Sequence, residues 1–313
     1  MPDLHECGAR RLYEVSRDHY APALVAFVVG WLDDLAREPS SVALCLGRDG
    51  LAPFVTAHRL LRLFPARFPA VQPCRVGLAY LSRPLARGAA GHAEQAALLG
   101  RYLGARGAGG GRPLVVVDVG IHGSIQDSLH GVYPGRDVRG HYLVLRRRRE
   151  DGHGERKWGF LADLDVVPRP ERDAPPGGTP PPGWEHGGVL RSGDPLFLRR
   201  RSIHFLEDLW NGVGEVAEAF RVPPGGGRVG IARGGPGSGP DHPAPLAIPR
   251  AERLRLKRAA LRGVADGVAR GYRQWEADGP APPHGLAAWF RELETPGPVD
   301  AYLTGALVRR EGH

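Results

Sequence analysis

Cysteine is scarce. Cys7, Cys45 and Cys74 are the only three in 313 residues, and none has a partner at ligand spacing, which excludes a disulfide framework and a zinc knuckle. Cys45 sits inside an apolar run and reads as a small buried residue. No apolar run is long enough to span a bilayer: APALVAFVVGWL falls short, and the opening MPDLHECGARRLY lacks the apolar stretch of a secretory signal. A cytoplasmic location is therefore expected. Aromatics make up only 7% of the chain and do not interleave with arginine as a base-stacking surface requires. Despite a formal net charge of +8 and the run Arg146 to Arg149, nucleic acid is thus not the expected partner. An anionic small molecule, such as a phosphorylated metabolite, fits the charge better. Nothing in the sequence sets an oligomeric state.

What is abundant is apolar surface, at 42% of residues, together with 45 glycines and 30 prolines gathered into a few loops. That is enough for a substantial core. Helical periodicity runs from Leu12 to Leu35, with a deeply packing stretch from Leu24 to Trp31. SVALCL then reads as a strand, LAPFVTAHRLLRLF as a helix, CRVGLAYLSR as a second strand and HAEQAALLGRYLGARG as a helix. PLVVVD is the clearest strand, followed by a glycine turn and a helix opening at Ser124; GHYLVLRRR is a fourth strand. Strands with little polar alternation, separated by helices, predict a parallel sheet covered on both faces. The expected architecture is a Rossmann-like α/β domain over residues 1–150 and a mainly helical region over 151–313, with Pro/Gly-rich loops, packed over the crevice. Within that region KWGFLADLDVV reads as an edge strand or hairpin. Pro195 to Phe220, Arg250 to Trp275 and Leu286 to Leu307 read as helix, and PPGGGRVGIARGGPGSGPDHPAP as a lid or a disordered insertion.

In such sheets ligands bind beyond the carboxyl ends of the strands. Three polar clusters fall at those ends: Arg48-Asp49, Ser82-Arg83, and Asp118 with Gly120 to Ser124. Asp118 can hold Mg²⁺ or sugar hydroxyls, or simply cap its loop. Gly120, Gly123 and Ser124 offer backbone N–H groups and a hydroxyl at a helix start, which favours phosphate or carboxylate. Asp49 could share a metal with Asp118 or act as acid or base, with Arg48 neutralising phosphate or pairing with it. Ser82 and Arg83 suit a phosphoryl group, or serve as a strand-end cap and a solvated side chain. His122, inside the glycine turn, is a candidate acid or base near neutral pH. His204, Glu207 and Asp208 stand on one expected helix, from which one could reach the crevice. The Lys-Ser/Thr ending of a phosphate-binding loop and a full Gly-x-Gly-x-x-Gly are both absent.

Gly47-Arg48-Asp49-Gly50, Ser82-Arg83 and Asp118-Val119-Gly120-Ile121-His122-Gly123-Ser124-Ile125-Gln126 resemble, in that order, three motifs of a bacterial group of haloacid-dehalogenase-like hydrolases. That group is associated with sugar transfer and surface polysaccharides. HFLEDLW around Glu207 is similar to its later helix, which retains a glutamate. The resemblance covers about the first two-thirds of the chain. It implies phosphate or substrate binding by Ser82, Gln126 and Glu207, a metal-binding role for Asp118, and Asp49 as acid or base. Where the wider superfamily has its phosphoryl-accepting aspartate, this chain has Gly47, so a covalent intermediate is not expected. Three functions are consistent with this pattern. One is a noncovalent Mg²⁺-assisted hydrolase or transferase acting on a phosphorylated sugar or nucleotide. Another is a phosphoribosyltransferase-like enzyme, and the third is a binding domain without catalysis.

Overall fold

The computed structural model describes residues 4–47, 49–120, 122–147, 152–165, 209, 217–233, 249–279 and 297–307. Its centre is a five-stranded parallel sheet: β1 (Val42–Leu46), β2 (Val76–Ala79), β3 (Leu114–Asp118), β4 (Val138–Arg147) and β5 (Lys157–Asp165). The strand order is β2-β1-β3-β4-β5. Leu44 stands beside Gly77 on one side and Val116 on the other, so the strands run in step across the middle of the sheet. Alternation along each strand feeds two cores. Ala43, Cys45, Val115 and Val117 face one, while Val42, Leu44, Leu46, Leu114 and Val116 face the other. Burial on both faces is why β1 and β3 read as unbroken apolar runs.

On the first face lie α1 (Leu4–Val15), a π-helical turn (Ser16–Tyr20), α2 (Ala21–Arg37) and α3 (Leu51–Leu63). On the second lie α4 (Arg83–Gly91), α5 (Ala93–Gly104) and α6 (Ser124–Val132). Leu24 to Leu32 of α2 are buried throughout, as the helix is sandwiched between the sheet and α7 (Arg250–Asp278). That long helix packs on α1, the π-helical turn, α2 and α3, and α8 (Pro298–Leu307) packs on α1. α7 and α8 therefore add a layer behind the first face, while the described strands of the C-terminal region join the sheet or pack on the second face. Gly263, Gly267 and Gly271, spaced one turn apart on α7, make that layer possible. A Cβ at Gly263 would run into the Tyr13 carbonyl oxygen, one at Gly267 would lie 2.6 Å from Ala21 Cβ, and one at Gly271 would lie 3.0 Å from Pro22 Cα.

Two elements differ from expectation. The helix read to Phe220 gives way, over its described end, to a strand, β6 (Ala217–Arg221), paired antiparallel with β7 (Gly230–Arg233). The physical reason is the turn between them, where Gly225, Gly226 and Gly227 all take positive φ and reverse the chain. The other is α4, which begins directly at Arg83 instead of leaving Pro84 as a simple exit from the sheet. Proline suits the first helical turn because its missing N–H would have no partner there. KWGFLADLD does form the sheet's edge strand. Among the described residues no helix is long and apolar enough to cross a membrane.

Candidate functional site

From β1 the chain passes through α3 on one face to β2; from β2 it returns through α4 and α5 on the other face to β3. The strand order reverses between β1 and β3, which opens a crevice at their carboxyl ends. Gly47 and Gly50 shape the exit from β1. The Gly47 N–H donates to the Ala79 carbonyl at 2.6 Å, extending the β1–β2 pairing by one residue. Here the strands approach so closely that a Cβ on residue 47 would stand 2.7 Å from Tyr80 Cα and 2.5 Å from Tyr80 Cδ1. Gly50 N–H donates to Leu46 O at 2.6 Å, closing the turn that starts α3. Asp49 lies within this turn, with one carboxylate oxygen shielded from solvent. Arg48 lies outside the described residues.

Beside it, the exit from β2 is fixed by Tyr102 of α5. Its buried hydroxyl accepts from Tyr80 N–H at 2.8 Å, and the Arg106 guanidinium lies 3.6 Å from its ring centroid. Ser82 caps α4, its hydroxyl accepting from Leu85 N–H at 3.2 Å and donating to the Ala217 carbonyl of β6 at 2.5 Å. The next residue reaches across: Arg83 Nε donates to Ser124 Oγ at 3.0 Å. That bond joins the starts of α4 and α6.

At the end of β3, Asp118 Oδ1 accepts from Val119 N–H at 2.8 Å, turning the carboxylate back on its own loop. It remains close enough to β1 that its charge adds to burial in raising the Cys45 thiol pKa. Gly120 has φ +144°, and a Cβ there would collide with the Val144 carbonyl oxygen. Gly123 caps α6 in the left-handed region at φ +65°, with Tyr142 Oη 2.8 Å from where a Cβ would sit. Both glycines are required by this turn. His122 Nδ1 lies 2.9 Å from the Arg146 carbonyl; the carbonyl can only accept, so Nδ1 carries the proton. Gln126 is buried, donating to the carbonyls of Val138 at 3.2 Å and Arg156 at 3.0 Å and accepting from Tyr142 Oη at 2.8 Å. Its amide thus ties α6 to β4 and to the start of β5. Glu207, with His204 and Asp208, lies outside the described residues.

The Mg²⁺ site expected at Asp49 and Asp118 is not borne out. Among the described residues no three His, Cys, Asp or Glu side chains come together to hold a metal ion. The Asp118 carboxylate caps its loop, the alternative its position allowed. What remains is a rim made of three helix starts, α3, α4 and α6, carrying Asp49, Arg83, Ser124 and the Gly120 to Gly123 turn. Helix starts present unpaired N–H groups and partial positive charge, and the guanidinium adds a full one, so the rim favours an anion.

Several of its supports escaped the sequence reading. The Tyr80–Tyr102 pairing and the Ser82–Ala217 bond join residues far apart in the chain, which no local spacing marks. Lys157 is another. It is fully buried at the start of β5, its Nζ 2.6 Å from Asp127 Oδ1 in the first turn of α6. The available signal was a lysine opening a strand whose next four residues, Trp158 to Leu161, carry no charge. No protein-family model matches the chain, and no curated protein is a significant match to it.

Proposed function

We propose that this crevice binds a phosphorylated sugar or nucleotide and catalyses its hydrolysis or transfer without a covalent enzyme intermediate. The phosphate sits against the starts of α4 and α6, beside Arg83 and Ser124. Water or an acceptor hydroxyl attacks phosphorus and gives its proton to Asp49, while the bond to the leaving oxygen breaks and that oxygen takes a proton from Nε2 of a His122 imidazolium, whose Nδ1–H stays on the Arg146 carbonyl. The single observation that carries this reading is the pairing of Arg83 with Ser124 Oγ at 3.0 Å, which gathers a guanidinium and two helix starts at the switch point. The closeness of Gly47 to Tyr80 supports the noncovalent route, since an aspartate nucleophile has no space there. The three motifs that resemble haloacid-dehalogenase-like hydrolases support the same substrate class, and the Rossmann-like core is compatible with them.

A second reading, binding without turnover, is favoured by the bonds that already engage the Ser82 hydroxyl and Asp118 Oδ1 inside the fold. One experiment separates the two. Sugar phosphates and nucleotides are incubated with the full chain and followed by phosphorus NMR, with calorimetric titration of the same compounds. Turnover lost in Asp49→Asn, with the far-ultraviolet spectrum unchanged, supports the enzyme. Saturable binding without turnover supports the binder, and no binding of any compound removes both. Release of pyrophosphate from phosphoribosyl diphosphate would redirect the assignment to glycosyl transfer.

A further inference from the structure

Beneath the Gly120 to Gly123 turn lies a charge that the crevice chemistry above does not use. Lys157 is completely buried, and its Cδ is 3.1 Å from the position a Cβ on Gly123 would take. The stem therefore runs directly under the cap of α6, and Nζ ends on Asp127, whose side chain is 39% exposed. Burying an ammonium is expensive. Exchanging such a pair for apolar side chains is often neutral or stabilising, so the needs of the fold do not explain a lysine here. Its position does: the α6 start, where helix N–H groups already favour an anion, gains a fixed positive charge behind it.

We propose that Lys157 is an anion-positioning residue of the crevice, raising the affinity of the α6 start for a phosphoryl group, with Asp127 as the counter-ion that moderates it. The proposal rests on the phosphate-binding reading of the crevice. Asp127, through Oδ1, and the bound anion draw on the same ammonium charge. Removing Lys157 and removing its counter-ion then act in opposite directions on affinity. A pair that is only structural gives the same sign for both.

The test is calorimetric titration of the full-length chain with inorganic phosphate at low and high salt. Lys157→Met is expected to weaken phosphate binding about tenfold and to lessen its salt dependence, the loss of one charge-assisted contribution. Asp127→Asn is expected to tighten binding about threefold by the same electrostatic balance, and Lys157→Arg to restore most of the affinity. Should Lys157→Met fold poorly, the sign of the Asp127→Asn effect decides alone. Weakening in Asp127→Asn, or unchanged affinity in both variants, overturns the proposal while leaving the crevice reading in place. Failure of the unmodified chain to bind phosphate or any phosphorylated compound overturns both.

Discussion

Tyr80 leaves β2 so near Gly47 that residue 47 has room for hydrogen and little else. Gly47→Asp therefore gains no nucleophile. It forces the β1 and β2 exits apart, and the expected result is a loss of about 1–3 kcal/mol of stability, typical of overpacking, measured by urea unfolding. No phosphoenzyme should form. A second residue reports on protonation. His130 of α6 stacks on His153 with ring centroids 3.9 Å apart, and its Nε2 is buried with no hydrogen-bond partner among the described residues. Burial first, then the neighbouring His153, Arg156 and Lys157, push its pKa down from 6.5 to about 4. The sign follows from linkage: the unfolded chain takes up a proton as the pH falls through about 6.5, and the folded chain resists until about 4. The stabilisation is complete above that window and is lost across it on acidification. His130→Gln should flatten the fall in unfolding midpoint between those two pH values, while Asp34 should act below it. Burial would raise the Asp34 carboxyl, but the hydrogen bond and charge of His141, with Arg139 and Arg37, hold it below the ordinary range. Its contribution is present above the ordinary carboxylate pKa and disappears as the pH drops through the lowered value.

Elements were legible where one physical cause acted alone. β1 and β3 are buried on both faces, so nothing interrupts VALCL and LVVV, and α2 carries its apolar stretch where the burial lies. β6 was not legible, because Ala217, Ala219 and Phe220 fit a helical face as well as a short strand; besides the glycine turn, contacts with α4 and α5 hold it as a strand. Ser82 holds that hairpin and starts α4 at once. Ser82→Ala should cost about 1 kcal/mol as a lost cap, and hydrogen exchange should quicken through Ala217–Arg221 while β3 stays protected. Equal protection of β6 in both proteins would mean the bond to Ala217 does not hold the hairpin. The glycine stripe of α7 was invisible for a related reason: a glycine inside a helix looks like a cost until the partner backbone is known. With Arg17 O and Ala21 Cβ pressed against residue 267, Gly267→Leu should lower stability by at least about 1–3 kcal/mol and loosen α7 from the π-helical turn. Thermal melting measures the first effect, and limited proteolysis measures the second.

Across the assembled fold, the sequence marked three strand ends and left open how they meet. Polar residues after apolar runs are local signals, whereas strand order and the contacts across the rim are not. Arg83 and Ser124 are 41 residues apart, and Ser82 and Ala217 are 135 apart, so neither bond has a sequence signature. A different limit explains why two carboxylates at strand ends suggested a metal: their position was readable, but the side-chain rotamer that turns Asp118 onto the N–H of its neighbour Val119 was not. Arg83 and Ser124 offer the sharpest test of the assembled rim. If a phosphate binds where α4 and α6 start together, each side chain both holds the other and faces the anion. Arg83→Ala should then weaken phosphate binding more than Ser124→Ala, because it removes a full charge, and the affinity it leaves should depend less on salt. Since the two are hydrogen-bonded, the double variant should lose less than the sum of the single losses, with a coupling of about 0.5–3 kcal/mol expected for contacting residues. Strict additivity in a double-mutant cycle, measured by calorimetry, would mean that α4 and α6 bind anions independently or not at all. Sub-additive losses with the fold intact would make the two helix starts a single site assembled only by the sheet beneath them.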